Sequence, residues 1–324
     1  MKHIPYLFLF LFILSCVTTQ PLILKLPNVP ETTTNAQEII RETNEPSQEF
    51  YPKISPDGKS LLYSAIETEK VEPIKPLFND LFTTTPVRVN KVKGAGTIVK
   101  KEVGSQIRSP LIQDAKDAIW APDGSGIIFS YRKPIQPVIV KTNLNGAGLN
   151  YVSADPMGSN DSEPNITNDG KKVIFSTMVG SKQMICSMNM KGGDFTVITE
   201  GKNVSLNPSD NNQIIYNLLM NGGSQIITLN LKTGQKTQLT SGNYDYINGA
   251  FSNDGRWIAY CSNQENPSTS KFHIYIMRSD GTEVKQLTMG DTNEGDPCWG
   301  IDNWVFFYSN AGNNYNIWKV KPRF

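Results

Sequence analysis

The segment from Ile54 to Ser64, ISPDGKSLLYS, recurs along the chain, and that recurrence limits the possible folds more than any other feature. It returns as WAPDGSGIIFS (Trp120 to Ser130), ITNDGKKVIFS (Ile166 to Ser176) and FSNDGRWIAYC (Phe251 to Cys261). Two degenerate copies, LNPSDNNQIIYN from Leu206 and WGIDNWVFFYS from Trp299, bring the set to six. The turn aspartates Asp57, Asp123, Asp169, Asp210, Asp254 and Asp302 stand 66, 46, 41, 44 and 48 residues apart. A period in the forties means either propeller blades or a helical array.

The residues inside the unit decide for strands. Each copy has an apolar residue, a tight turn, then an apolar run such as Val173-Ile174-Phe175 or Trp257-Ile258-Ala259-Tyr260. Proline at the second turn position has its φ preset, and glycine at the fourth accepts the positive φ that leads into a hairpin. The aspartate is suited to cap a nearby backbone N–H, a structural role. A second strand pair follows, clearest where HIYIMR (His273 to Arg278) is joined through Ser279-Asp280-Gly281-Thr282 to VKQLT (Val284 to Thr288). Four strands per repeat, ordered from inside outward, make one propeller blade, so the expected fold is all-β: a six-bladed β-propeller of four-stranded antiparallel blades.

With Glu163-Pro164-Asn165-Ile166 and Asp296-Pro297-Cys298-Trp299 as the front half of the unit, and Ser55-Pro56-Asp57-Gly58 and Ala121-Pro122-Asp123-Gly124 as the back half, the pattern resembles the TolB-type, WD40-like (PD40 repeat) propeller family. The resemblance covers about residues 36–324. It departs from the pattern at Asn211, where glycine is expected, and at Ile301-Asp302-Asn303. It implies periplasmic protein partners, such as peptidoglycan-associated lipoproteins. The family's separate amino-terminal α/β domain has no counterpart in residues 1–35, so a role in the same transport system is not expected.

Thirty-one basic against 30 acidic residues, a net charge of +1, give no sustained positive field, which argues against nucleic-acid binding. Arg88, Lys91, Lys93, Lys100 and Lys101 do cluster, and are read as a solvated outer strand pair of blade one. At the amino end, Met1-Lys2-His3 and a short apolar run ending Ile13-Leu14-Ser15-Cys16 have the form of an export signal. The last four residues look like a bacterial lipobox, which implies cleavage before Cys16 and a diacylglycerol on its thiol. The alternative is an ordinary secretory signal that contains a cysteine. Residues 1–15 are then a signal peptide, 16–35 a flexible tether rich in Thr, Pro and Asn, and 36–324 the ring. Val17 after Cys16 favours the outer membrane.

The last repeat stops after a third strand, Asn316 to Lys321, which would leave an edge exposed. AQEIIRE (Ala36 to Glu42) mimics the spacing of EVKQLTM (Glu283 to Met289) before the next repeat, so this amino-terminal stretch is expected to supply the missing strand and close the ring.

Six residues before the turn aspartates stand Tyr51, Asp117, Glu163, Asn248 and Asp296, with Asn203 or Val204 in the irregular fourth blade. They are expected to begin the innermost strands and line one mouth of the central channel. Two readings stay open for the three carboxylates: they attract a divalent cation, an amine or a basic peptide, or they hydrogen-bond backbone N–H groups of neighbouring blades. The longest insertion, Glu67 to Thr85, is placed between the second and third strands of blade one, overhanging that mouth. Its apolar edge, Leu77, Phe78, Leu81 and Phe82, either binds a partner or packs on the ring. The loop from Asn263 to Lys271 shares that face.

Catalytic parts are scarce. Beyond the signal only His273 remains, read as filling space in a strand; no Gly-x-Ser-x-Gly elbow exists, and a multi-histidine metal centre is impossible in one chain. Carboxylate acid–base chemistry is compatible with Asp117, Glu163 and Asp296. Cys186, Cys261 and Cys298 lie in strands of different repeats without metal spacing and are read as small buried hydrophobes. The expected function is therefore a monomeric, lipid-anchored envelope module that binds proteins or peptides, with no cofactor. The alternative is a carboxylate-dependent polysaccharide lyase or hydrolase.

Overall fold

A computed structural model describes residues 27–69, 91–92, 96–132, 136–153, 159–220, 222–265 and 271–324. The repeated turn behaves as its chemistry requires. Gly58, Gly124, Gly170 and Gly255 hold φ of 73, 71, 70 and 69°, and each donates its N–H to the carbonyl three residues back (Ser55, Ala121, Thr167 and Ser252). The Oδ1 atoms of Asp57, Asp123, Asp169 and Asp254 accept the N–H of Lys59, Ser125, Lys171 and Arg256. Hydroxyls of Ser55, Ser125 and Thr167, with these N–H groups, hold Asp57, Asp123 and Asp169 below the ordinary carboxylate range.

The turns fold the chain into six antiparallel sheets of four strands. Blade one is Gln48–Ile54, Ser60–Ile66, Thr97–Glu102 and Arg108–Gln113; blade two is Ala115–Trp120, Gly126–Arg132, Pro137–Asn143 and Asn150–Tyr151. Blade three is Ser159–Ile166, Lys172–Val179, Lys182–Asn189 and Thr196–Glu200; blade four is Lys202–Asn207, Asp210–Met220, Gly223–Asn230 and Lys236–Gln238. Blade five is Tyr246–Phe251, Trp257–Ser262, His273–Arg278 and Lys285–Gln286. Blade six is Glu294–Trp299, Val305–Ser309 and Asn316–Pro322, completed by Ala36–Arg41 from the amino end.

The apolar runs are continuous because each sheet is covered on both faces. Successive side chains of a second strand point into different joints: Leu62 packs with Ile127 and Phe129 of blade two, whereas Leu61 and Tyr63 pack with Phe306 and Ile317 of blade six. One apolar cluster fills each joint, six in all. Cys186, Cys261 and Cys298 are buried free thiols in three different joints, as read.

The amino-terminal stretch closes the ring as expected, with Ala36 opposite Pro322, Ile39 opposite Val320 and Arg41 opposite Trp318. Beyond the strand, Glu42 is buried, with Oε1 2.8 Å from Lys101 Nζ and Oε2 3.1 Å from Lys319 Nζ. This corrects the basic cluster of blade one: Lys101 is not solvated but is a buried partner of the closing segment, while Arg88 and Lys93 lie outside the described residues. The tether is corrected at its ring end. Glu31–Thr32 pairs with Thr288–Met289 along blade five, and Pro27 accepts the N–H of Gly312. From Pro27 onward the chain is thus bound to the ring; Cys16 lies outside the described residues.

Candidate functional site

Every innermost strand carries an irregularity at a shared height. The pairing with the second strand slips between Phe50 and Lys53, between Lys116 and Ile119, and between Ser162 and Asn165. It slips again between Lys202 and Ser205, between Ile247 and Ala250, and between Gly295 and Cys298. Two residues of the inner strand thus oppose one of its partner, a β-bulge, and the first of the two takes a left-handed conformation. Those first residues are Tyr51, Asp117, Glu163, Asn203, Asn248 and Asp296, with φ of 57, 56, 55, 53, 56 and 48°. Opposite the bulges stand Tyr63, Phe129, Phe175, Tyr216, Tyr260 and Phe307, all fully buried.

The positions taken from the repeat are thus brought together, and Asn203, not Val204, is the bulge residue of blade four. Their place is corrected. They do not begin the inner strands but sit within them, because the bulge rotates one side chain per blade toward the axis. All six line a single channel with about 90 Å³ of free volume, enough for a few waters or one extended side chain. Lys53, two residues past Tyr51 in the period-2 pattern, lines the same channel and had not been anticipated.

The carboxylates differ in what they do. Glu163 is fully engaged: Oε2 accepts Ser176 Oγ at 2.7 Å and the backbone N–H of Asn203 at 2.6 Å, and Oε1 accepts Asn203 Nδ2 at 2.9 Å. Asp296 accepts Asn248 Nδ2, and the Asn248 N–H is held by Asn217 Oδ1 at 2.9 Å. Glu163, Asn248 and Asp296 therefore stitch blades three to four, four to five and five to six. Asp117 stitches nothing. It is buried and neither oxygen accepts a hydrogen bond, although Lys116 Nζ lies 3.1 Å from Oδ2.

Burial pushes the Asp296 carboxyl up to about 7; Lys53 opposes the rise, and the charges of Asp117 and Glu163 reinforce it. Burial likewise raises Glu163 despite its hydrogen bonds. The Tyr51 hydroxyl is raised by burial and then by the charges of Asp296, Asp117 and Glu163. Among the described residues no three His, Cys, Asp or Glu side chains converge closely enough to share a metal ion.

Other expected residues fall elsewhere. His273 does more than fill space: fully buried, its Nδ1 lies 2.8 Å from Glu294 Oε2, which joins blade five to blade six away from the channel. The long insertion leaves blade one after its second strand and returns before its third, as placed, while Leu77, Phe78, Leu81 and Phe82 lie outside the described residues. Residues 266–270 of the other loop also lie outside them.

Residues 168–315, just under half of the chain, match the family described as the dipeptidyl peptidase IV N-terminal region. No curated protein matches the sequence significantly. Among solved structures, TolB from Acinetobacter baumannii superposes with a TM-score of 0.57 at 18% identity, over 70% of this chain and 59% of that one. The chain therefore spans about three fifths of that TolB. Oligogalacturonate lyase from Vibrio parahaemolyticus gives 0.58 at 10% identity, over 90% of this chain and 96% of that one. A gluconolactonase from Xanthomonas campestris gives 0.61 at 9% identity, over 91% and 95%. The fold is thus a six-bladed propeller, found both in a TolB protein and in enzymes.

Proposed function

We propose that this chain is an envelope propeller that binds a partner polypeptide at the channel mouth and performs no chemistry on it. One observation carries the reading: of the three channel carboxylates, two are consumed in joining blades and the third has no hydrogen-bonding partner, an arrangement for holding a ligand group rather than passing protons between paired catalysts. The insertion of blade one departs from the face where the inner strands begin, so Leu77, Phe78, Leu81 and Phe82 are assigned to the rim of the same contact. Residues 1–15 are assigned as a lipoprotein signal, with Cys16 lipidated and Val17 directing the protein to the outer membrane. Pro27 is held against Gly312 of the loop between the second and third strands of blade six, and the tether is assigned to leave from that same face.

Placing a photocrosslinking residue at Tyr315, beside the mouth, is expected to capture a discrete partner in living cells, whereas one at Asn145, on the opposite face, captures none. Absence of any capture from Tyr315 would remove the binding reading. Cys16→Ser is expected to move the protein from the membrane to the soluble fraction.

A second reading has its own support. A buried carboxyl raised to about 7 beside two others is suited to proton transfer near neutrality. A polysaccharide lyase or hydrolase would release cleavage products from envelope polysaccharides, and Asp296→Asn would abolish them; the binding reading expects none from either protein.

A further inference from the structure

The channel repeats nearly the same chemistry six times, and the departures from that repetition fall together between blades six, one and two. Directly after the buried aromatic of the second strand, blades one to five carry Ser64, Ser130, Ser176, Asn217 and Cys261; blade six carries Tyr308. Gly295 makes room for it, since a Cβ there would stand 2.1 Å from the phenol. The Tyr308 ring meets Phe50 edge-on at 5.1 Å and Tyr315 edge-on at 5.4 Å, and Phe50 leads to Tyr51 at 6.3 Å. All four rings are partly exposed, unlike the core aromatics, and Tyr51 lines the channel itself.

Next to this group stands Asp117, 5% exposed and aimed into the channel without a hydrogen bond. Lys116 shows what such a place holds. Its side chain, 37% exposed, puts Nζ 3.1 Å from Asp117 Oδ2 and 5.7 Å from the centre of the Tyr51 ring, a carboxylate and a ring face around one ammonium. The protein thus fills the place with a partly exposed side chain of its own.

We infer that the mouth takes the arginine or lysine side chain of a partner polypeptide, paired to Asp117 over the Tyr51 ring in place of Lys116; this rests on the binding reading above and names the chemistry of its ligand. Facing the incoming charge are Asp117 and Lys116 of blade two, Glu163 of blade three, Asp296 of blade six and Lys53 of blade one. With all of them ionised, three carboxylates stand against two ammonium groups. Asp296 gains its charge through about pH 7, so binding strengthens as pH rises across that value.

The test titrates the full chain with a capped Gly-Gly-Arg-Gly-Gly peptide and with its neutral citrulline counterpart. The arginine peptide is expected to bind about tenfold more tightly than the citrulline one, and Asp117→Asn to remove that difference while the protein melts as before. Lys116→Ala is expected to tighten binding several-fold, because the internal competitor is gone, a gain that a merely structural lysine would not produce. Equal binding of the two peptides, no binding by wild type and Lys116→Ala alike, or weakened binding in Lys116→Ala would each overturn the inference. Tetramethylammonium binding as tightly as the peptide would overturn the polypeptide assignment. If the crosslink from Tyr315 persists while the arginine peptide fails, the binding reading stands and only the cation falls.

Discussion

A non-glycine residue at positive φ is uncommon, and here one occurs at the same station of all six blades. Asparagine and aspartate tolerate this region through local hydrogen bonding, which suits Asn203, Asn248, Asp117 and Asp296; Tyr51 and Glu163 are held there by the bulge and by what their side chains reach. Asp296 illustrates the cost of such placement. Its carboxyl titrates near 7 in the folded protein against 3.8 ordinarily, so between those values the folded state binds the proton more tightly than the unfolded state. The contribution of Asp296 to stability therefore falls as pH rises from about 4 to about 7. Asp296→Asn keeps the backbone preference and the contact to Asn248 but cannot ionise. It is expected to raise Tm by several degrees at about pH 8 and to change it little at about pH 4, as measured by thermal unfolding followed by circular dichroism.

At the scale of the element, the closing strand is held as much by one charge as by its ladder. Burial alone would raise the Glu42 carboxyl, yet Lys101, the Gly104 N–H and Lys319 together hold it below its ordinary value. That contribution is present above the ordinary carboxylate value and is lost as pH falls below it through the lowered value of the folded state. Glu42→Ala leaves Lys101 buried without a counter-charge and is expected to cost about 3–5 kcal/mol of unfolding free energy in urea titration. Adding Lys101→Met should recover a large part of that loss, since an apolar side chain at a buried site needs no partner. AQEIIR was legible as a strand from its spacing. The ion cluster was not, because Glu42, Lys101 and Lys319 are far apart in the chain and meet only when the ring closes.

At the scale of the whole molecule, six similar sheets make the ring indifferent to where the chain is cut, provided every joint is filled. Pro322 and Ala36 already face each other across the closing pair. Joining them through Asn-Gly, with new ends opened between residues 70 and 90, turns the closure into an ordinary hairpin. This permutant is expected to fold and to melt in one transition within a few degrees of the parent. A loss of cooperativity would show that the contacts of residues 27–35 with blades five and six, and not closure alone, stabilise the ring.

The blade count, the strand order, the closing segment and five of the six channel positions were written in the sequence, because each depends on a local motif or on a fixed offset from one; in blade four the offset left Asn203 and Val204 open, and the bulge chose Asn203. Turn chemistry and two-residue alternation act over a few residues and so repeat visibly. Which carboxylate would be left without a partner was decided only in three dimensions. Whether a side chain finds a donor depends on the neighbouring blade, some 40 residues away in the case of Glu163 and Asn203. The aromatic side of the mouth was decided there too: Phe50 and Tyr308, at opposite ends of the chain, become neighbours only when blade six meets blade one.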